Sequence, residues 1–193
     1  MRRFAVPLIL SLALACAHAQ PEALLHAAES LDGVSIGMGS GYDESKLFLS
    51  HAAEHVTEGA AAIGAVSRSP EDAQGNVYVS VFVPIEPTSF TDRALVFDGA
   101  TSTPDRSQAL YVRGYDESGR MVMSWMSWEG QLSAEVRQFR LVPEVDGALR
   151  WEPGRIEADD RSAVTRIEFI TGTGEKGVYF NVTIDNIRAS IAR

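Results

Sequence analysis

Apolar residues in this chain recur at every second position, in short runs divided by turn residues. That period belongs to a β-strand, whose side chains two apart share a face, and not to a helix. Val77, Val79, Val81 and Val83 fall on one face of one run, and Leu110 and Val112 alternate with Tyr111, Arg113 and Tyr115 in another. Further runs span residues 47–49, 60–66, 94–97, 121–128, 136–142, 166–170 and 178–187. Between them stand turn signals: Pro70-Glu71-Asp72, Asp116-Glu117-Ser118-Gly119, Asp146-Gly147 and Gly172-Thr173-Gly174. The Asp-x-x-Gly stretch between Tyr115 and Met121 predicts a hairpin loop. Leu24 to Glu29 reads as a short helix or strand, and Gly33 to Gly41 as a loop. No sustained 3.6-residue period follows residue 30. Roughly nine or ten short strands at regular spacing predict an all-β sandwich or barrel.

The last run is the most informative. Phe180, Val182 and Ile184 point one way and read as core. Tyr179, Asn181, Thr183 and Asp185 point the other way and read as a polar, partly open sheet face.

The N-terminus reads as an export signal over residues 1–19, with the sandwich over 20–193. Arg2 and Arg3 precede an apolar run from Phe4 to Cys16, and Ala17-His18-Ala19 follows as an A-x-A cleavage site. The run is shorter than the roughly 20 residues a membrane-spanning helix needs. A second cleavage point competes, because Leu12-Ala13-Leu14-Ala15-Cys16 resembles a lipoprotein box. A cut before Cys16 tethers the protein to a membrane, and a cut after Ala19 releases it. The expected location is therefore extracytoplasmic. Cys16 is the one cysteine, so neither product can form an internal disulfide and packing must supply the stability. Loss of the leader leaves 15 basic against 26 acidic residues, a net charge of −11. Such a surface repels nucleic-acid phosphates and anionic lipids, and suits neutral ligands or cations.

Three fragments carry a family resemblance: His55-Val56-Thr57-Glu58-Gly59-Ala60, Ala94-Leu95-Val96-Phe97-Asp98 and Thr183-Ile184-Asp185-Asn186-Ile187-Arg188. Together they resemble galactose-binding-like domains, including the carbohydrate-binding modules attached to agarases. The resemblance implies an antiparallel two-sheet jelly-roll β-sandwich that is non-catalytic and binds a polysaccharide or oligosaccharide. It also implies a structural calcium near the first and last strands. Calcium takes about six to eight oxygen ligands, and the resemblance points to Glu29 and Asp185, with Glu58 next.

Sugar binding needs aromatic faces for the pyranose ring and polar groups at its edge. Tyr111, Arg113 and Tyr115 share one strand face, which cannot easily be core because Arg113 would be buried unpaired. Trp125 and Trp128 are the next candidates. Three apart in a regular strand, they face opposite sides, which puts one of them in the core. A second reading keeps the fold without a sugar site, as a periplasmic structural or protein-interaction domain. Two motifs carry little. Gly33-Val34-Ser35-Ile36-Gly37 matches G-x-S-x-G, but the loop around it lacks the strand-to-helix elbow a hydrolase needs. His51 and His55 are four apart, but zinc on that spacing needs a helix and a third ligand.

Overall fold

The structure is a computed structural model and describes residues 22–39, 42, 44–127, 131–141 and 163–191. Among the described residues eleven strands run in chain order: β1 (Ala23–His26), β2 (Ser35–Ile36), β3 (Lys46–Ser50), β4 (Ala62–Arg68), β5 (Val77–Thr88), β6 (Arg93–Ala100), β7 (Ala109–Tyr115), β8 (Met121–Ser127), β9 (Arg137–Leu141), β10 (Val164–Thr173) and β11 (Tyr179–Ile191). They form two antiparallel sheets. The first has the order β3-β4-β11-β6-β9, with β1 also paired to β11, and the second has the order β2-β5-β10-β7-β8. This is the two-sheet jelly-roll sandwich. The described residues contain no α-helix, and the period-two alternation is realised along most of the strands. Leu24 to Glu29, open between helix and strand in the sequence, holds strand β1.

The inward-facing positions are those the alternation selects. Val77, Val79, Val81 and Val83 of β5 are buried, as are Leu110 and Val112 of β7, Ile167 and Phe169 of β10, and Phe180, Val182 and Ile184 of β11. At the centre Phe97 stacks on Phe139 at 4.9 Å and meets Phe169 edge-on at 4.8 Å. Consecutive strands β10 and β11 occupy the middle of opposite sheets, so the last connection crosses between the layers and places one central strand in each.

Three local features break simple alternation, and each has a physical reason. Strand β2 lies in the predicted Gly/Ser loop. Its two residues pair only with Phe82 and Val81 of β5, too short a run to show a period. Strand β5 continues through Pro84. The register of β2 ends at Phe82, so β5 is an edge strand there, where a missing N–H is tolerated. The third feature is a bulge in β11 between Asp185 and Arg188, with Asn186 in the left-handed region at φ 52°. Asparagine tolerates that conformation better than most residues. The extra residue resets the phase, so Ile187 and Ala189 turn back into the core while Arg188 faces out and meets Glu22 at 2.8 Å.

The predicted open polar face of β11 is corrected. Asn181, Thr183 and Asp185 are as buried as the core residues beside them. The 51–60 connection lies over Asp185. The β6–β7 connection covers Asn181, whose carbonyl accepts from Thr101 Oγ1 at 2.8 Å and Ser107 Oγ at 2.9 Å. Only Tyr179 at the strand end remains exposed.

If the sheets are held by this packing, Phe169→Ala should lower unfolding free energy by about 3–5 kcal/mol. Urea denaturation measures it. A loss below about 1 kcal/mol would mean that the Phe97–Phe139–Phe169 group does not anchor the core.

Candidate functional site

Two candidate regions emerge, one on the outer face of each sheet.

On the first sheet, the three fragments that carry the family resemblance converge. Asp98 and Asp185 are direct cross-strand partners on β6 and β11. Thr57, from the 51–60 connection, bridges them, with its Oγ1 2.7 Å from Asp98 Oδ2 and 3.0 Å from Asp185 Oδ2. Asp185 Oδ2 also accepts the backbone N–H of Thr57 at 2.7 Å and of Glu58 at 3.2 Å, while its Oδ1 accepts from Asn186 N at 2.7 Å. Asp98 further accepts from Asn186 Nδ2 at 3.2 Å.

These contacts test the calcium expectation. A hard cation needs oxygen lone pairs pointed inward, whereas Asp185 is surrounded by N–H and hydroxyl donors. Glu29 lies apart from this carboxylate network, its Oε1 accepting the N–H of Ala60 at 2.9 Å. Glu58 is exposed and contributes its backbone N–H to Asp185. Among the described residues no group of three His, Cys, Asp or Glu side chains is arranged to hold a metal. The donors around Asp185 do not fit calcium; Asp185 and Glu29 accept backbone N–H groups of the 57–60 segment, to which Glu58 contributes its main chain. His51 and His55 do not form a zinc site either. His51 Nδ1 pairs with Ala60 O, and His55 is buried against Ser50 Oγ at 3.0 Å.

The second region is the outer face of the β2-β5-β10-β7-β8 sheet. Register brings Arg113 of β7 opposite Glu168 of β10, and Glu168 opposite Phe82 of β5. One step along, Tyr115, Arg166 and Pro84 share a row, and one step back Tyr111, Ile170 and Ser80 share another. Glu168 is the hub and is only 2% exposed. Its Oε1 accepts from Ser80 Oγ and its Oε2 from Tyr115 OH, both at 2.6 Å. Ser80 Oγ in turn accepts the N–H of Met38 at 2.8 Å. Residue 37 must be glycine here, because a Cβ would collide with Ser80 Oγ and Glu168 Oε1. The 37–38 backbone thus presses on the face and covers the carboxylate. Burial first, then the bond to Glu168, pushes the Tyr115 pKa up to about 12, so the phenol remains a protonated donor across the physiological range.

The guanidinium of Arg113 stands 3.8 Å from Glu168 Oε2, an ion pair but not a hydrogen bond. That of Arg166 lies 4.5 Å from the Phe82 ring centre and 5.1 Å from that of Tyr115, within cation–π range. Met126 of β8 is exposed at the rim.

The sequence-derived platform is thereby revised. Arg113 and Tyr115 belong to the face and are half-buried. Tyr111 is on the same face but only 8% exposed, packed against Tyr78 at 5.7 Å and beside Ile170. Burial and its hydrogen bond to Tyr78 raise its pKa, and its ring is not an open stacking surface. Trp125 is corrected outright. It pairs with Val112 and joins the core at 6% exposure, so it offers no ring to a ligand. Trp128 lies outside the described residues. The sequence reading missed Tyr78, Ser80, Phe82, Arg166 and Glu168. Alternation marks each as outward-facing, but nothing local says that β5, β10 and β7 are neighbours. The G-x-S-x-G serine, Ser35, is exposed on the short β2, with no helix after it.

The β7–β8 hairpin that carries Tyr115 is closed by Asp116, as Asp-x-x-Gly predicts. Its carboxylate accepts from Ser118 Oγ at 2.6 Å, Arg120 N at 2.9 Å and Arg120 Nε at 3.1 Å, while Gly119 takes positive φ. The Ser118 bond, followed by those from Arg120, lowers the Asp116 pKa to about 2.

No protein-family model and no curated protein matches the chain. Solved structures do. The family 11 carbohydrate-binding module of the cellulosomal cellulase Lic26A-Cel5E of Clostridium thermocellum superposes with TM-score 0.53 at 11% identity, covering 90% of this chain and 96% of the module. The family 11 module from Clostridium thermocellum in complex with a β-1,3-1,4-mixed-linked tetrasaccharide gives the same score and identity over 89% and 96%. The agarase AgWH50C gives TM-score 0.56 at 14% identity, covering 90% of this chain and 25% of the agarase. At such identities the likeness is one of fold alone: a two-sheet antiparallel β-sandwich, as in these carbohydrate-binding modules.

Two outcomes are expected. Asp185→Asn places an amide among donors and should cost about 2–3 kcal/mol, while calcium or EDTA leaves the melting temperature unchanged. A calcium-dependent rise in melting temperature would reverse the reading of this network. Separately, the depressed Asp116 pKa contributes stability that is present above its unfolded value and lost as pH falls through about 2. Ser118→Ala should move the Asp116 titration midpoint upward in NMR. An unmoved midpoint would show that Ser118 is not the cause.

Proposed function

We propose that this protein is an exported, non-catalytic carbohydrate-binding protein that takes a glycan on the outer face of the β2-β5-β10-β7-β8 sheet. The observation that carries the reading is the composition of that face. Half-buried Tyr78, Phe82 and Tyr115 and two guanidiniums are held on adjacent strands around one hydrogen-bonded carboxylate. Aromatic edges and faces beside fixed polar groups match the mixed character of a saccharide. The first sheet offers no comparable surface along β11, where loops occupy the outer face. The fold likeness adds support, since one structurally similar module is known with a mixed-linked tetrasaccharide.

A non-catalytic role is favoured by the state of Glu168. Most glycoside hydrolysis uses two carboxylates, one as acid and one as base or nucleophile. Among the described residues Glu168 is the one carboxylate in contact with Ser80, Arg113 and Tyr115, and hydroxyls occupy both its oxygens. Export is supported by the basic start, apolar run and Ala17-His18-Ala19 of the leader.

Calorimetry and affinity electrophoresis against mixed-linked β-glucan, agarose, xylan and cellulose test the reading. Phe82→Ala and Tyr115→Ala should each weaken binding by about tenfold or more, whereas Tyr111→Ala should act mainly on stability. Absence of binding to every glycan would sink the proposal and leave the structural or protein-interaction reading.

A further inference from the structure

The centre of the outer face of the second sheet carries more positive charge than it neutralises. Arg113 and Arg166 flank Glu168, giving two cations and one anion at its centre. The carboxylate does not satisfy them. Its two oxygens accept short bonds from Ser80 and Tyr115, and Arg113 stands off at 3.8 Å. Arg166 has no hydrogen bond or ion pair among the described residues, and its Nε is fully buried without a partner. The buried Nε is beyond a ligand's reach, so an incoming oxyanion would pair with the terminal nitrogens of the guanidinium. The nearest turn does not supply the missing acceptor. A Cβ on Gly119 would come 4.0 Å from Arg166 Nη2, so the β7–β8 turn is close, but Asp116 in that turn is already paired with Arg120 at 3.1 Å. Arg166 is also held in place. Its guanidinium lies against Phe82 and Tyr115, whose rings are 5.6 Å apart, so its planar fork is oriented before any ligand arrives.

A guanidinium fork of fixed orientation matches a planar carboxylate or a sulfate in a bidentate pair, which a hydroxyl cannot offer. We propose, resting on the glycan-binding reading above, that the saccharide taken by this face carries an oxyanion, a carboxylate or a sulfate ester, and that Arg166 receives it. Arg113, ion-paired with Glu168 on the neighbouring strand, adds to the positive field on the same face. The overall net charge of −9 does not forbid this. At physiological ionic strength charges beyond roughly 8 Å are largely screened, so the local pair of cations governs a short oligosaccharide.

The test is calorimetry of the full mature chain with three short probes: an oligogalacturonate for carboxylate, a sulfated galactan oligosaccharide for sulfate, and a mixed-linked β-glucan oligosaccharide as the neutral reference. At least one anionic probe should bind more tightly than the neutral one. Arg166→Met keeps the apolar stem over Phe82 and should lose about tenfold or more on that probe, a clearly larger factor than its loss on the neutral one. Arg166→Lys keeps the charge without the fork and should fall between. The carboxylate and sulfate arms identify the source of the oxyanion. Urea midpoints of the variants equal to wild type exclude a folding defect, and a variant that shifts its midpoint is replaced by competition of the wild type with the free oxyanion sugar. Tight neutral binding that needs Tyr115 but shows no gain from either anion would overturn this inference and leave the glycan-binding reading standing. Anionic binding untouched by Arg166→Met would also overturn it. No binding to any probe would remove both.

Discussion

Everything in this sandwich follows from pressing two pleated sheets together on their apolar sides. Each strand then has one face committed to the interior and a second face that must be dealt with separately. For the edge strands water does this. For β10 and β11, the strands at the middle of opposite sheets, it poses a structural problem, and the two sheets solve it differently. Along β11 the outer face is closed by polar connections: the 51–60 segment on Asp185 and the 101–107 segment on Asn181. Along β10 the outer face is left as a row of charged and aromatic side chains.

Two of the three carboxylates buried among the described residues show how the difference arises. Asp185 and Glu168 are both nearly inaccessible, and both are encircled by hydrogen-bond donors. At Asp185 the donors include backbone N–H groups of an incoming loop, so satisfying the charge also fixes the loop. That arrangement fills the surroundings of Asp185 with hydrogen-bond donors. At Glu168 the donors are side-chain hydroxyls of Ser80 and Tyr115, which belong to the sheet itself. The carboxylate then organises the face instead of closing it. The short bonds hold the Tyr115 ring against Arg166, and the Met38–Ser80–Glu168 chain of donors fixes the edge segment at residue 37. A rigid constellation on strands, not on a loop, is the kind of support a recognition surface requires.

Much of this was legible in the chain. The alternation placed nine of the eleven described strands, with β1 left open between helix and strand and β2 read as loop, and the Asp-x-x-Gly hairpin and the buried series Phe180, Val182, Ile184 are as read. The resemblance fragments proved to be one spatial network: Thr57, Asp98 and Asp185-Asn186 touch. What misled was the inference that a polar residue on the outward side of a strand is exposed. Thr183 and Asp185 are polar, outward and buried, because another segment lies over them. Trp125 misled for the opposite reason: its phase on β8 is inward, and only pairing with Val112 makes that phase visible.

The sequence alone was enough to determine the strand period, the fold class and which side chains of each strand share a face, because these depend on residues two positions apart. It could not determine which strands lie side by side. Arg113 and Glu168 are 55 positions apart in the sequence and adjacent across a ladder, and Asp98 meets Asp185 in the same way. Those neighbours are chosen when the whole apolar surface is buried at once. The clustering of two guanidiniums and a carboxylate on one open sheet, and the closure of the other over two buried acids, therefore belong to the tertiary structure.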